Sequence, residues 1–202
     1  MRYYSQAGQD EWVDTFFKSK KNGYFLDIGA YDGVHLSNTY YLENELGWDG
    51  LCIDADTDVY KDLNKNRNCK KINIAISNKS GISNFSQAGV SGRISEEGNM
   101  EVNTTSIDKI LIEFNCPKII DYISLDVEGH EYNVLEMFPF SEYKFILMTV
   151  EHNLYLGSDV NKKKINEILT KNGYSIYREN VEHMGYQFED WYINNNYLEI
   201  LK

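Results

Sequence analysis

Five short runs along this chain read as apolar rather than alternating: Tyr24 to Ile28 (YFLDI), Gly50 to Asp54 (GLCID), Lys70 to Ser77 (KKINIAIS), Asp121 to Asp126 (DYISLD) and Lys144 to Glu151 (KFILMTVE). A strand with one face in water alternates, whereas a strand covered on both faces does not. The stretches between these runs carry helical periodicity. QDEWVDTFFKSK puts Trp12, Val13, Phe16 and Phe17 on one face, and NTYYLENELG stops at Gly47. DVYKDLNKN, SIDKILIEF, EYNVLEMF and KKINEILTKNGY continue the pattern. Strands separated by helices predict an α/β fold with a mostly parallel sheet and helices on both faces. Two late strand patterns, YSIYREN and FEDWYIN, have no strong helix between them and predict an antiparallel hairpin.

Composition narrows the function classes. The 202 residues carry 20 basic and 31 acidic side chains, a net charge of -11 that repels phosphate backbones, so no nucleic-acid partner is expected. The short basic run NKKKIN, Asn161 to Asn166, reads as the solvated start of a helix. No apolar run is long enough to span a membrane. The opening stretch MRYYSQAGQDEW has no signal-peptide character. Three cysteines, Cys52, Cys69 and Cys116, lack metal-type spacing, and a reduced, cytoplasmic compartment is the expectation. Without a linker or repeat, residues 1–202 read as one domain, with an N-terminal helical element over 1–20. Asn84 to Thr104, rich in Gly, Ser and Asn, breaks the alternation and reads as either a surface insertion or a substrate lid.

In doubly wound sheets, ligands bind beyond the carboxyl ends of the strands. The first run ends in DIGAYDG, where Gly29 and Gly33 permit a tight turn and Asp27 can accept from a cationic amino group. The turn is not Gly-x-Gly-x-x-Gly, and its Asp32 would repel a pyrophosphate. Asp54 follows about 20 residues beyond Gly33, the step at which a carboxylate meets ribose hydroxyls. After the third run, Ala75 and Ser77 are placed to flank an adenine. After the fourth, Asp126, Glu128, His130 and Glu131 crowd four ionisable groups together, and carboxylates this close raise one another's pKa. The fifth ends in Glu151, His152 and Asn153, so that oxygen and imidazole donors on adjacent strand ends could hold a divalent cation.

These motifs, in this order, resemble the FkbM-type methyltransferases. The resemblance runs from YSQAGQDEWV through GYFLDIGAYDGVHLSNTYYLENELGWDGLCIDAD and DYISLDVEGHEYNVLEMFPF to VEHN and FEDWY. It implies a Rossmann-like class I methyltransferase sheet of seven strands in the order 3-2-1-4-5-7-6, the last antiparallel. It also implies S-adenosylmethionine as cofactor and transfer of methyl to oxygen, most often a sugar hydroxyl in glycan assembly, whether in a chain acting alone or within a larger glycan-building complex. On this resemblance Asp27, Gly29, Ala30 and Gly33 form the cofactor turn, and Asp54 stands where the family more often shows Glu. Gln6, Gln9 and Asp10 match an N-terminal element that folds over the cofactor's amino-acid end. Asn38 matches a polar position on the next helix. Asp126, Glu128, Gly129 and Glu131 match the signature after the fourth strand, whereas His130 and His152 vary more.

Methyl transfer to an alcohol is an in-line displacement that needs alignment and removal of a proton from a weak acid. The expected catalytic set is Asp126, Glu128 and His130. The expected cofactor set is Gln6, Gln9, Asp27, Gly29, Ala30, Gly33, Asn38, Asp54, Ser77 and Asp126. A magnesium or manganese ion on Asp126, Glu151 and His152 would lower the hydroxyl's pKa and orient it. The rival readings are a dinucleotide-dependent oxidoreductase, a catalytically silent scaffold, and an RNA methyltransferase, which the charge disfavours.

Overall fold

The computed structural model describes residues 2–201, so Met1 and Lys202 of the expected 1–202 domain lie outside the described residues. In chain order the elements begin α1 (Gln9–Phe17), β1 (Tyr24–Ile28), α2 (Tyr40–Leu46), β2 (Asp49–Asp54), α3 (Thr57–Asn66) and β3 (Lys70–Asn73). Next come β4 (Ala75–Ile76), β5 (Gly81–Ser86), β6 (Arg93–Ile94), β7 (Met100–Thr105), α4 (Ile107–Glu113) and β8 (Ile119–Leu125). The chain continues with α5 (Glu131–Glu136), β9 (Lys144–Glu151), α6 (Val160–Lys171), β10 (Tyr174–His183) and β11 (Tyr186–Asn194).

Seven strands form the main sheet in the order β10-β11-β9-β8-β1-β2-β3, which counted within that sheet alone is 3-2-1-4-5-7-6. The pairs from β3 through β9 are parallel, and β11 runs antiparallel to both its neighbours. The apolar runs are continuous because both faces are covered. On β1, Leu26 and Ile28 join Ile107 of α4, Val134 of α5 and Ile165 of α6 in one core. Phe25, next to Leu26 on the opposite face of the strand, turns to the other core, with Val13 of α1, Leu42 of α2 and Leu63 of α3. All three cysteines are free and buried, as read for Cys52 from its apolar run. Among the described residues no helix is long and apolar enough to cross a membrane.

The structure corrects the sequence reading at two places. The run Lys70 to Ser77 is not one strand: β3 pairs with β2, and then the chain passes to β4, which pairs with β7 in a second sheet. About half of the stretch Asn84 to Thr104 is strand, because β5, β6 and β7 complete that second sheet in the order β4-β7-β5-β6. Its core is small, centred on Ala75, Phe85 and Val102, so most of its side chains stay polar and the period-2 signal is faint. Gly98 packs on the Phe85 backbone so tightly that a Cβ would lie 2.4 Å from the Phe85 nitrogen.

Candidate active site

The carboxyl ends of β1, β2, β8 and β9 meet along one edge of the main sheet, and the turns leaving these four strands build the site. After β1 the chain must pass beneath the end of β8, where the Asp126 amide donates to the Ile28 carbonyl at 2.9 Å. Gly29, at φ 90, is required there: a Cβ would lie 1.7 Å from the Asp126 carbonyl oxygen. Gly33, at φ 80, serves packing instead, since a Cβ would meet the Arg67 and Leu63 side chains at 2.6 and 2.7 Å. It lines neither of the two cavities that open over this edge.

Arg67, absent from the sequence reading, organises this corner. It is buried, donates to the Gly33 carbonyl at 3.2 Å and the Thr39 hydroxyl at 2.9 Å, ion-pairs with Glu43, and lies 4.0 Å from Asp27. Burial raises the Asp27 carboxyl above its ordinary value, against the opposing pull of Arg67 and the hydroxyls of Thr39 and Ser124. Thr39 donates to Asp27 at 2.6 Å. Asn38 stands just ahead of α2 rather than on it, donating to Ser124 at 2.9 Å while its Oδ1 is enclosed without a partner.

Asp54 ends β2 and accepts from the Tyr31 and Asp56 amides at 2.8 and 2.9 Å. Burial pushes its pKa up to about 7 despite those two donors. Ser77 is buried and lines neither cavity; its amide pairs with the Thr105 carbonyl because the chain has turned into the second sheet.

Beyond β8 and β9, carboxylates face one another. Asp126 Oδ1 is enclosed without a partner, and the group is raised to about 8, first by desolvation and then by Glu128 and Glu131. Glu151 is buried and held well above its ordinary range by burial, then by Asp126. The Asn153 amide bridges Glu151 at 2.9 Å and Glu128 at 3.2 Å. Glu128 sits in left-handed backbone at φ 53, a strained setting for a side chain and common at functional sites. His130 lies beside them with its Nδ1 enclosed and unpartnered, and burial lowers its pKa.

A cation would find Asp126, Glu131 and Glu151 with oxygens within 4.8 Å of one another. His152 is not among them: its Nε2 faces Asp190 at 3.3 Å and its Nδ1 accepts from the Leu154 amide. The structure thus places His152, expected as a ligand beside Asp126 and Glu151, on Asp190 and the Leu154 amide instead. Glu131 braces the loop, accepting from the Val127 and Gly129 amides at 3.1 and 2.9 Å and from Asn161 at 2.7 Å.

The two adjoining cavities share Gly29, Tyr31, Val90, Asp126 and Glu128. The first, about 290 Å³, is floored by Asp27, Ala30, Asn38, Asp126, Glu128 and Glu151. The second, about 60 Å³, takes Asp54 and His130 together with Ile74, Ala75 and Arg93. Gln6 reaches the first cavity, and its carbonyl accepts from His183 Nδ1 at 3.0 Å. Gln9 does not; it is fully buried and donates to Glu189 at 3.0 Å. Asp10 ties back the preceding segment through the Tyr4 amide and the Ser5 hydroxyl at 2.6 and 2.5 Å. The walls come from Val90 and Ser91, in the turn between β5 and β6 within the stretch read as either a surface insertion or a substrate lid, and from segments to which the sequence assigned no site role: Tyr155, and His183, Met184 and Tyr186 of the β10–β11 hairpin.

A family model described as the methyltransferase FkbM domain matches residues 27–176. No curated protein sequence matches the chain. Among solved structures, a candidate O-methyltransferase from Klebsiella pneumoniae aligns with TM-score 0.61 at 10% identity, over 96% of this chain and 83% of that one. Methyltransferase FkbM from Methylobacillus flagellatus KT aligns with TM-score 0.52 at 12% identity, over 87% of this chain but only 44% of its own. Magnesium protoporphyrin IX methyltransferase from Synechocystis PCC 6803, solved with bound SAM, aligns with TM-score 0.51 at 11% identity, over 94% and 79%. The chain has the Rossmann-like class I methyltransferase fold and, by a family match over most of its length, belongs to the FkbM methyltransferases.

Proposed function

We propose that this chain is an S-adenosylmethionine-dependent O-methyltransferase acting on a sugar or glycan hydroxyl. The observation that carries this reading is the run of carboxylates along one continuous pair of cavities: Asp54 in the smaller, then Asp126 and Glu128 shared, then Asp27 and Glu151 in the larger. The residues present fit the cofactor. Asp54 would take the ribose hydroxyls and Asp27 the amino group, and the unpartnered Asn38 Oδ1, Asp126 Oδ1 and His130 Nδ1 are buried polar atoms of the kind a ligand satisfies. When bound, S-adenosylmethionine supplies a methyl group on an electrophilic sulfonium.

This chain's own work is at the floor. An ionised carboxylate among Asp126, Glu128 and Glu151 takes the acceptor's proton, and burial, with mutual repulsion second to it, makes that base stronger than an ordinary carboxylate. Asn153 holds Glu128 and Glu151 in place. A magnesium ion fits Asp126 and Glu151, because magnesium takes one or two carboxylates and keeps its remaining positions for water or substrate. It would lower the hydroxyl's pKa and orient it.

Replacing Asp126 with Asn is expected to cut methyl transfer by roughly 10²–10⁴-fold, the usual worth of a positioned base. Binding of S-adenosylhomocysteine should persist. Transfer is read with methyl-labelled cofactor on a glycoside panel, and full activity in the variant would overturn the assignment. Activity that survives exhaustive chelation and gains nothing from added magnesium or manganese would remove the metal.

A further inference from the structure

Five apolar side chains stand around the mouth of the larger cavity with much of their surface in solvent: Leu36 at 36%, Val90 at 53%, Tyr155 at 44%, Met184 at 84% and Tyr186 at 60%. Single exposed apolar residues need no explanation, but a group of them around one opening marks a binding surface. They come from separate segments of the chain: the loop before α2, the Gly89–Ser91 turn, the Leu154–Leu156 turn and the β10–β11 hairpin. The Tyr155 and Tyr186 rings meet at 5.6 Å between centroids, tilted by 61°, and so form one corner. Met184 occupies the hairpin tip at φ 51, where a side chain is strained and a glycine or asparagine would be cheaper. Neither folding nor solubility calls for that methionine.

Charge adds a second constraint. Four carboxylates floor the cavity, and no Lys or Arg is among its lining residues. Arg67 acts on Asp27 from the buried side, and Arg93, which eases Glu128 and Tyr155, lines the neighbouring cavity. A phosphorylated or carboxylated acceptor entering here would face four carboxylates with no Lys or Arg on the cavity wall to pair with it.

We infer that the acceptor is an uncharged glycoside whose aglycone is aromatic or alkyl, with the sugar on the carboxylate floor and the aglycone on a platform of Tyr155, Met184 and Tyr186. The platform suits such a group, since aromatic rings and methionine thioethers pack against rings and chains with little demand on shape. These three residues then set acceptor specificity, apart from the proton-transfer groups on the floor. The inference rests on the proposed methyl transfer only in taking the acceptor to be a sugar.

The test is a binding measurement that needs no turnover. With S-adenosylhomocysteine saturating, calorimetry compares the methyl glycoside, the phenyl glycoside and the 6-phosphate of glucose, galactose and mannose. For at least one sugar the phenyl form is expected to bind about tenfold or more tightly than the methyl form, as burial of one ring predicts. The phosphates should bind more weakly than either. In a Tyr155→Ala, Tyr186→Ala double variant that still binds S-adenosylhomocysteine, the phenyl advantage should fall below about threefold, since the ring has lost its platform. Equal affinity of phenyl and methyl forms, an advantage that survives the double variant, tight binding of a phosphate, or no binding by any glycoside would each overturn the inference. So would a dimer that hides the rim in sedimentation, or binding to neutral lipid vesicles that the double variant abolishes, if no glycoside preference accompanies it. A phenyl preference with no label transfer to any glycoside would overturn the methyl-transfer reading and leave the platform standing.

Discussion

The floor of the site and its rim are built by opposite rules. The floor is made of strand ends locked into the sheet. Asp27 and Ser124 are register partners on β1 and β8, and Glu151 lies opposite Glu189 on β11. Every floor group is tied to backbone or to another buried side chain. The rim is made of turns, and its residues expose apolar surface that none of the described residues covers. A change of shape or charge balance at the floor therefore acts on groups the fold also uses, whereas a change at the rim is free to alter ligand choice alone. The same division separates the two sheets: the large one is covered on both faces, and the small one carries only a three-residue core.

This contrast can be broken by substitution. The largest effect is expected from Gly29→Ala, where the new Cβ would collide with the Asp126 carbonyl oxygen at 1.7 Å. A loss above about 4 kcal/mol, exceptional for one methyl group, should appear in urea unfolding. A mild effect would mean that the β1 and β8 ends separate easily and that the floor is not rigid. Next comes Arg67→Leu, which leaves Asp27 and Glu43 buried without their cation; about 3–5 kcal/mol is expected from thermal or urea melts.

Glu189 sharpens the comparison through pH. It is buried beneath the floor, accepting from Gln9 and Trp191, and burial raises its pKa to about 8. A carboxyl raised in the folded state keeps its proton there while the unfolded chain loses it near 4.5, so this group's contribution to stability declines as pH rises. Between pH 5 and 8 the loss is about 3 kcal/mol from this group alone. Glu189→Gln should flatten that part of the pH profile, measured by melting temperature, and an unchanged slope would show that Glu189 is ionised in the fold. The smallest effect belongs to the rim: Met184→Ala should change stability by less than about 0.5 kcal/mol. A large destabilisation there would erase the distinction between rim and floor.

Much of the floor was legible because strand ends are close in both sequence pattern and space. Asp27, Gly29, Asp54, Asp126, Glu128 and Glu151 each lie at or just past the end of an apolar run, and the parallel topology that those runs imply brings them to one edge. Sequence and structure part where a side chain has a choice of partner. His152 stands next to Glu151, yet successive strand residues face opposite ways, and it meets Asp190 instead. Ser77 was lost to the second sheet, whose polar strands carry too little buried surface to show a period. Arg67 gave no signal because an isolated arginine after a helix is ordinarily solvated.

The order of apolar runs, their terminal carboxylates and the glycine turn were thus written in the chain, since burial on both faces and the geometry of a parallel sheet act on local sequence. Only the tertiary structure decided that Arg67 would be buried against Asp27, that Gln9 would brace Glu189, and that Val90, Tyr155 and Met184 would surround one opening. Those contacts join segments far apart in sequence. They form because the sheet carries turns from distant parts of the chain to the same edge, a coincidence in space that no local pattern encodes.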